Sequence, residues 1–198
     1  MTEPNMTERD VATPPTNAPE PPAPVRKAPS LVLVFTGHGK GKSTAAFGTM
    51  LRAVARGWSV AVVQFLKSGS WHVGEEDIGI RLGVDWWALG DGFTWDSDAM
   101  DETQAVALEA WRFARTTIEA GAHRLVILDE ITYPINWGWI DGGEVAAAIT
   151  SRPEHVNVIV TGRDAPAALV DIADTVTDMV NVRHAYDAGI LAKRGIDF

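Results

Sequence analysis

Residues 31–35 (LVLVF) carry no polar group, and the run stops abruptly at Thr36-Gly37-His38-Gly39-Lys40-Gly41-Lys42-Ser43-Thr44. A short apolar run bounded by a glycine-rich turn reads as a fully buried strand. Beyond the turn lie Ala45, Ala46, Phe47 and further helix formers. The chain must therefore fold here as strand, tight turn and helix, with Gly41-Lys42-Ser43 at the helix start. That order is a P-loop. Glycines let the backbone turn its N–H groups inward on a phosphate. The helix adds its free N–H groups and the positive end of its dipole. On this reading Gly37, His38, Gly39, Lys40, Gly41, Lys42, Ser43 and Thr44 cradle a nucleotide's phosphates. Lys42 reaches the outer phosphates, and the Ser43 hydroxyl holds Mg²⁺. The spacing departs from the usual one at Thr36, where a glycine is expected. A glycine-rich turn with no ligand is the plain alternative.

Three more runs share the character of the first: residues 59–66 (SVAVVQFL), 125–128 (LVIL) and 156–160 (VNVIV). Strands apolar almost throughout belong to parallel sheets covered on both faces. Residues 84–89 and 175–182 read as two further strands. Helical spacing places helices at 43–56, 99–120, 141–149 and 165–173. The first should turn Phe47, Leu51, Val54 and Ala55 to the sheet. The second should use Ala105, Leu108, Trp111, Phe113 and Ile118. Residues 71–83 support a short helix at most, and Pro134 and Gly138 keep 131–140 from forming one long helix. The fold class is α/β, a doubly wound and mostly parallel sheet of P-loop NTPase type with helices on both faces. Residues 1–29 are proline-rich and poor in large apolar side chains, so a disordered leader is expected there, with the α/β domain over 30–198.

Asp129-Glu130 follows Leu128 at once. With a P-loop upstream, this reads as a Walker B pair, in which Asp129 orders the Mg²⁺ shell. Glu130 has two open readings, the metal or the ribose, and a solvated carboxylate pair is the alternative for both. Arg163 lies just past another strand end and contacts phosphate or makes a surface salt bridge. In open α/β sheets this C-terminal edge carries the ligand. Such a site serves attack at the γ-phosphorus or, equally, attack at the ribose C5′ with triphosphate leaving.

A net charge of −9 argues against broad nucleic-acid surfaces and anionic membranes as partners. The absence of cysteine excludes disulfides, thiolate metal sites and cysteine nucleophiles. No apolar run suffices to span a bilayer, and the N-terminus lacks a secretory pattern, so a cytoplasmic location is expected.

Residues 36–48 (TGHGKGKSTAAFG) resemble the P-loop of the ATP:corrinoid adenosyltransferases, a family that tolerates the displaced glycine. The resemblance continues in Val63-Gln64-Phe65-Leu66-Lys67, Gly92-Phe93-Thr94-Trp95, Leu128-Asp129-Glu130, Thr161-Gly162-Arg163-Asp164-Ala165-Pro166 and the ending Lys193-Arg194-Gly195-Ile196-Asp197-Phe198. It implies transfer of the 5′-deoxyadenosyl group of ATP to a corrinoid Co(I), with release of inorganic triphosphate. It also implies Mg²⁺, a homodimer, and a cobalt-reducing flavoprotein or equivalent electron donor. Phe93 and Trp95 would form an apolar wall that disfavours a lower axial ligand on cobalt; core packing is their other reading. Lys42 and Glu130 would complete the catalytic set. The alternatives are a P-loop NTPase or kinase acting at the γ-phosphate, and a non-catalytic ATP-binding regulator.

Overall fold

A computed structural model describes residues 25–67, 74–89 and 100–197. Six strands form one sheet: β1 (Val32–Thr36), β2 (Val60–Gln64), β3 (Asp85–Ala88), β4 (Leu125–Asp129), β5 (Asn157–Thr161) and β6 (Thr175–Asp178). Their order is β3-β2-β4-β5-β1-β6, and every pairing is parallel. Burial follows composition. The interior strands β2, β4 and β5 are buried at every residue, whereas β6 (TVTD) is exposed throughout and β3 (DWWA) is only half covered. Polar residues in TVTD have water on one side, which an interior strand cannot offer.

The helices are α1 (Lys42–Val54), α2 (Gly74–Arg81), α3 (Met100–Ala120), α4 (Thr132–Asn136), α5 (Gly142–Thr150) and α6 (Ala167–Val170). Alternate residues of each strand serve opposite faces. Val126 and Leu128 pack with Ala110, Trp111, Ala114 and Ile118 of α3 and with Val145 and Ile149 of α5. Leu125, Ile127 and Ile159 face the other way, onto Ala46, Phe47, Met50 and Ala53 of α1. The sheet is thus covered on both faces, as expected for strands this apolar.

The structure corrects two helical stripes. In α1 the buried set is Ala46, Phe47, Met50 and Ala53, while Leu51 is 47% exposed and Ala55 is exposed. Small alanines pack closest to the sheet, so the stripe is rotated from one drawn through the larger residues. In α3, Ala105 is exposed and Ala107, Ala110 and Ala114 are buried for the same reason. The segment 71–83, of weak pattern, contains α2. The last strand is shorter than expected and ends at Asp178. Residues 1–24 of the leader, Phe93 and Trp95 lie outside the described residues.

Ile159 is fully buried at the centre of the sheet. Ile159→Ala should lower stability by about 2–5 kcal/mol through lost burial and the cavity left behind. Urea unfolding reads this as a lower midpoint at unchanged slope. A loss within about 0.5 kcal/mol, typical of a surface position, would contradict a two-sided core.

Candidate functional site: a phosphate cradle at the sheet's C-terminal edge

β5 separates β1, which feeds the glycine loop, from β4, which ends in Asp129. The two strand ends therefore flank a gap at the edge of the sheet where ligands bind in such folds. Thr36 is still part of β1, paired with Asp178, and its hydroxyl accepts a hydrogen bond from Ala165 N at 3.0 Å. The turn begins one residue later than in the usual motif, and Gly37 makes it at φ 97°. A Cβ on Gly37 would lie 2.1 Å from Asp178 Oδ1, so only glycine fits. Gly39 N donates to Met179 O at 2.5 Å, which ties the loop to the chain beyond β6.

Gly41, at φ 118°, opens α1 without a side-chain cap, and the first turn carries no acidic residue. Free N–H groups and an unopposed dipole end are what an anion needs. Lys42 Nζ folds back to donate to Gly39 O at 2.8 Å. Burial and then the nearby Arg163 charge lower the Lys42 pKa, partly offset by Glu130, Asp129 and Asp164.

The cavity in front of α1 holds about 240 Å³. Lys40, Lys42, Lys67 and Arg163 line it, together with Ser43, Thr44 and Tyr133. Glu75, Glu130 and Asp197 supply negative charge at its walls. Asp197, near the chain's end, pairs with Lys40 at 2.6 Å, so the C-terminal stretch does reach the loop. A second hollow of about 420 Å³ shares Thr44, Phe47 and Glu75 with the first and continues over Met50, Leu51, Ile78 and Ile196. A polar cradle thus adjoins an apolar one.

The two carboxylates after β4 differ. Asp129 is fully buried; its Oδ1 accepts from Thr161 Oγ1 at 2.7 Å and its Oδ2 from Gln64 Nε2 at 2.8 Å. Glu130 faces the cavity from a left-handed backbone, φ 67°, which costs energy for any residue but glycine. Its N–H donates to Thr161 Oγ1 at 2.9 Å, so the strained turn is pinned. Burial, reinforced by the Asp129 charge, pushes the Glu130 carboxyl up to about 7 against the pull of Lys67, Lys42 and Arg163.

Arg163 lies on a loop fastened by α4. Its carbonyl accepts from Thr132 Oγ1 at 2.7 Å and Asn136 Nδ2 at 3.2 Å. His38 does not line the cavity; its Nε2 meets Asp164 Oδ1 at 3.0 Å on the exposed side of the same loop. Of the residues expected at the site, Lys40, Gly41, Lys42, Ser43, Thr44, Glu130 and Arg163 converge on the cavity. Gly37, His38 and Gly39 shape the loop behind it, and Asp129 sits beneath the floor. Lys67, Glu75, Tyr133 and Asp197 were not expected there. Lys67 was the most legible of the four, since it follows a strand end on the ligand-binding edge.

Loop, uncapped helix and carboxylate pair define a P-loop nucleotide-binding protein. More narrowly, the sequence profile of the family "ATP:corrinoid adenosyltransferase BtuR/CobO/CobP" matches residues 28–198, and the chain belongs to that family. Corrinoid adenosyltransferase CobA of Salmonella typhimurium (strain LT2) is 40% identical over 168 residues, 85% of each chain. The corrinoid adenosyltransferase of Escherichia coli (strain K12) is 41% identical over the same share of both chains. That of Pseudomonas aeruginosa is 39% identical over 178 residues, 89% of this chain and 87% of the relative. A solved DNA replication initiation factor aligns only at TM-score 0.37 and 10% identity, over 76% of this chain and 40% of its own, too little to bear on function.

The raised Glu130 carboxyl has a signed consequence. Between its ordinary value of 4.5 and about 7 the folded chain binds the proton more tightly than the unfolded chain. Stability from this group is complete below 4.5 and is lost as pH rises through about 7. Glu130→Gln cannot ionise. Its stability relative to wild type should therefore climb across that window and level off above it. Chemical denaturation at a series of pH values measures the difference, and a flat line would mean that Glu130 titrates as an ordinary carboxyl.

Proposed function

We propose that the chain adenosylates corrinoids, transferring the 5′-deoxyadenosyl group of ATP to cobalt in cobalamin biosynthesis or corrinoid salvage. Family membership over residues 28–198 carries the reading, together with a cradle built for a phosphate chain. The reaction balances as a single displacement. The lone pair of Co(I) forms a bond to C5′ as the C5′–O bond breaks, and inorganic triphosphate leaves with that electron pair. Cobalt becomes formally Co(III). The nucleophile carries no proton, so no general base is required of the protein.

The protein's part is leaving-group stabilisation and placement. Negative charge grows on the departing triphosphate, and preorganised cations worth several kcal/mol receive it. Lys42, Lys40, Lys67 and Arg163 are those cations, with the N–H groups of α1 beside them. The apolar hollow next to the cradle offers a water-poor surface to the rest of the reactants. Oriented approach in such a site contributes roughly 7–11 kcal/mol in favourable cases.

Mg²⁺ fits the residues present. Among the described residues no cluster of three His, Cys, Asp or Glu forms a protein cage. Mg²⁺ takes oxygen donors and is held by one or two carboxylates, a hydroxyl, waters and substrate phosphates. Ser43 offers the hydroxyl, Asp129 orders the surrounding shell from beneath, and Glu130 offers the second carboxylate. Bound there, the ion would neutralise phosphate charge. A reduced flavoprotein or an equivalent donor supplies the electron that generates Co(I).

The assay is anaerobic, with Mg²⁺, ATP and a chemically reduced corrinoid, followed by the corrinoid spectrum. Wild type should form a light-sensitive adenosylcorrinoid, and Lys42→Ala should slow it by about 100–1,000-fold, the usual cost of losing one preorganised donor. A corrinoid spectrum unchanged by the wild-type protein would end this reading.

A further inference from the structure

Asp129 keeps its orientation because two side chains hold it, and each of these is itself held, Thr161 by the Glu130 N–H and Gln64 by Trp86. Gln64 ends β2 directly opposite Asp129 on β4, and both are buried. The Gln64 amide donates through Nε2 to Asp129 Oδ2 at 2.8 Å. Its carbonyl oxygen accepts the indole N–H of Trp86 at 2.9 Å. The orientation of the amide is therefore determined. Turned over, it would set an amide oxygen against the carboxylate and an NH₂ against the indole N–H, two repulsive contacts in a buried place. Trp86 is fixed in turn. Its ring packs on Phe47 with centroids 5.0 Å apart, and it lies so close to α2 that a Cβ on Gly79 would come within 2.9 Å of its Cε3.

We propose that Gln64 is a positioning residue for the metal-ordering carboxylate, its amide locked by the Trp86 indole, so that Trp86 and Gln64 together set the strength with which the site uses Mg²⁺. The two bonds that Asp129 accepts occupy half of the roughly four acceptor positions of a carboxylate, which leaves the others to the ion's shell. Removing the amide frees the carboxylate to rotate toward Thr161 and leaves the indole N–H unpaired. The backbone carbonyl of Gln64 also accepts from Leu89 N at 3.0 Å, so this residue fastens β3 where that strand ends. The inference rests on the reading of Asp129 as the group that orders Mg²⁺.

Calorimetric titration of the full chain with ATP, once in excess Mg²⁺ and once in EDTA, tests it without relying on turnover. Wild type should bind ATP more tightly with Mg²⁺, and Asp129→Asn should lose that gain. Gln64→Leu should cut the gain by about 10–100-fold, the usual effect of losing a partner behind a metal ligand, while affinity in EDTA stays within about 2-fold. A merely structural role would weaken both titrations alike. Trp86→Phe keeps the amide but unlocks it, so a smaller loss in the same direction is expected; it carries the test if Gln64→Leu does not fold. A wild-type gain that persists in Gln64→Leu and Trp86→Phe overturns this inference alone. No gain in wild type overturns it together with the reading of Asp129.

Discussion

Lys40, Lys42, Lys67 and Arg163 bring four positive charges to a cavity of about 240 Å³. Like charges so close repel, and the lowered Lys42 pKa, to which Arg163 contributes after burial, is a symptom. The uncapped start of α1 adds to the same field. Glu75, Glu130 and Asp197 at the walls and Asp129 below match these cations in formal number, and Lys40 is already paired with Asp197. A phosphate chain would meet the remaining cations, Lys42, Lys67 and Arg163, together with the N–H groups at the start of α1. The rest of the C-terminal edge exists to hold this arrangement: Met179 ties the loop, Thr132 and Asn136 tie Arg163, and Gln64 and Thr161 tie Asp129.

The same field serves hydrolysis or alkyl transfer, and the fold alone does not choose between them. Family membership does so for this chain. One feature suits transfer. An apolar hollow opens beside the polar cradle, a surface that a large second substrate would need.

Much of this was legible in the sequence because the constraints are local. Interior strands had to be apolar on both faces, and LVILD and NVIVT say so directly. The glycine loop announces itself by spacing, even with Thr36 out of place. Legibility failed where partners are distant in sequence. Nothing near Asp197 points to Lys40, and nothing near Gln64 or Trp86 points to Asp129, because those contacts exist only once the strands are ordered. The stripe of α1 was misplaced for another reason: alanines pack closest to a sheet, and a reading weighted by side-chain size drifts toward Leu51. His38 looked like a phosphate ligand by position, whereas the turn at Gly37 sends it to Asp164.

In the proposed reaction the cradle holds an intact triphosphate as a leaving group. Phosphorus NMR of the nucleotide products, taken after anaerobic turnover with reduced corrinoid, tests this most directly. Inorganic triphosphate, all three phosphorus atoms still linked, should appear in equal amount to the adenosylcorrinoid. ADP and free phosphate accumulating in step with turnover would place the attack at the γ-phosphorus and contradict it.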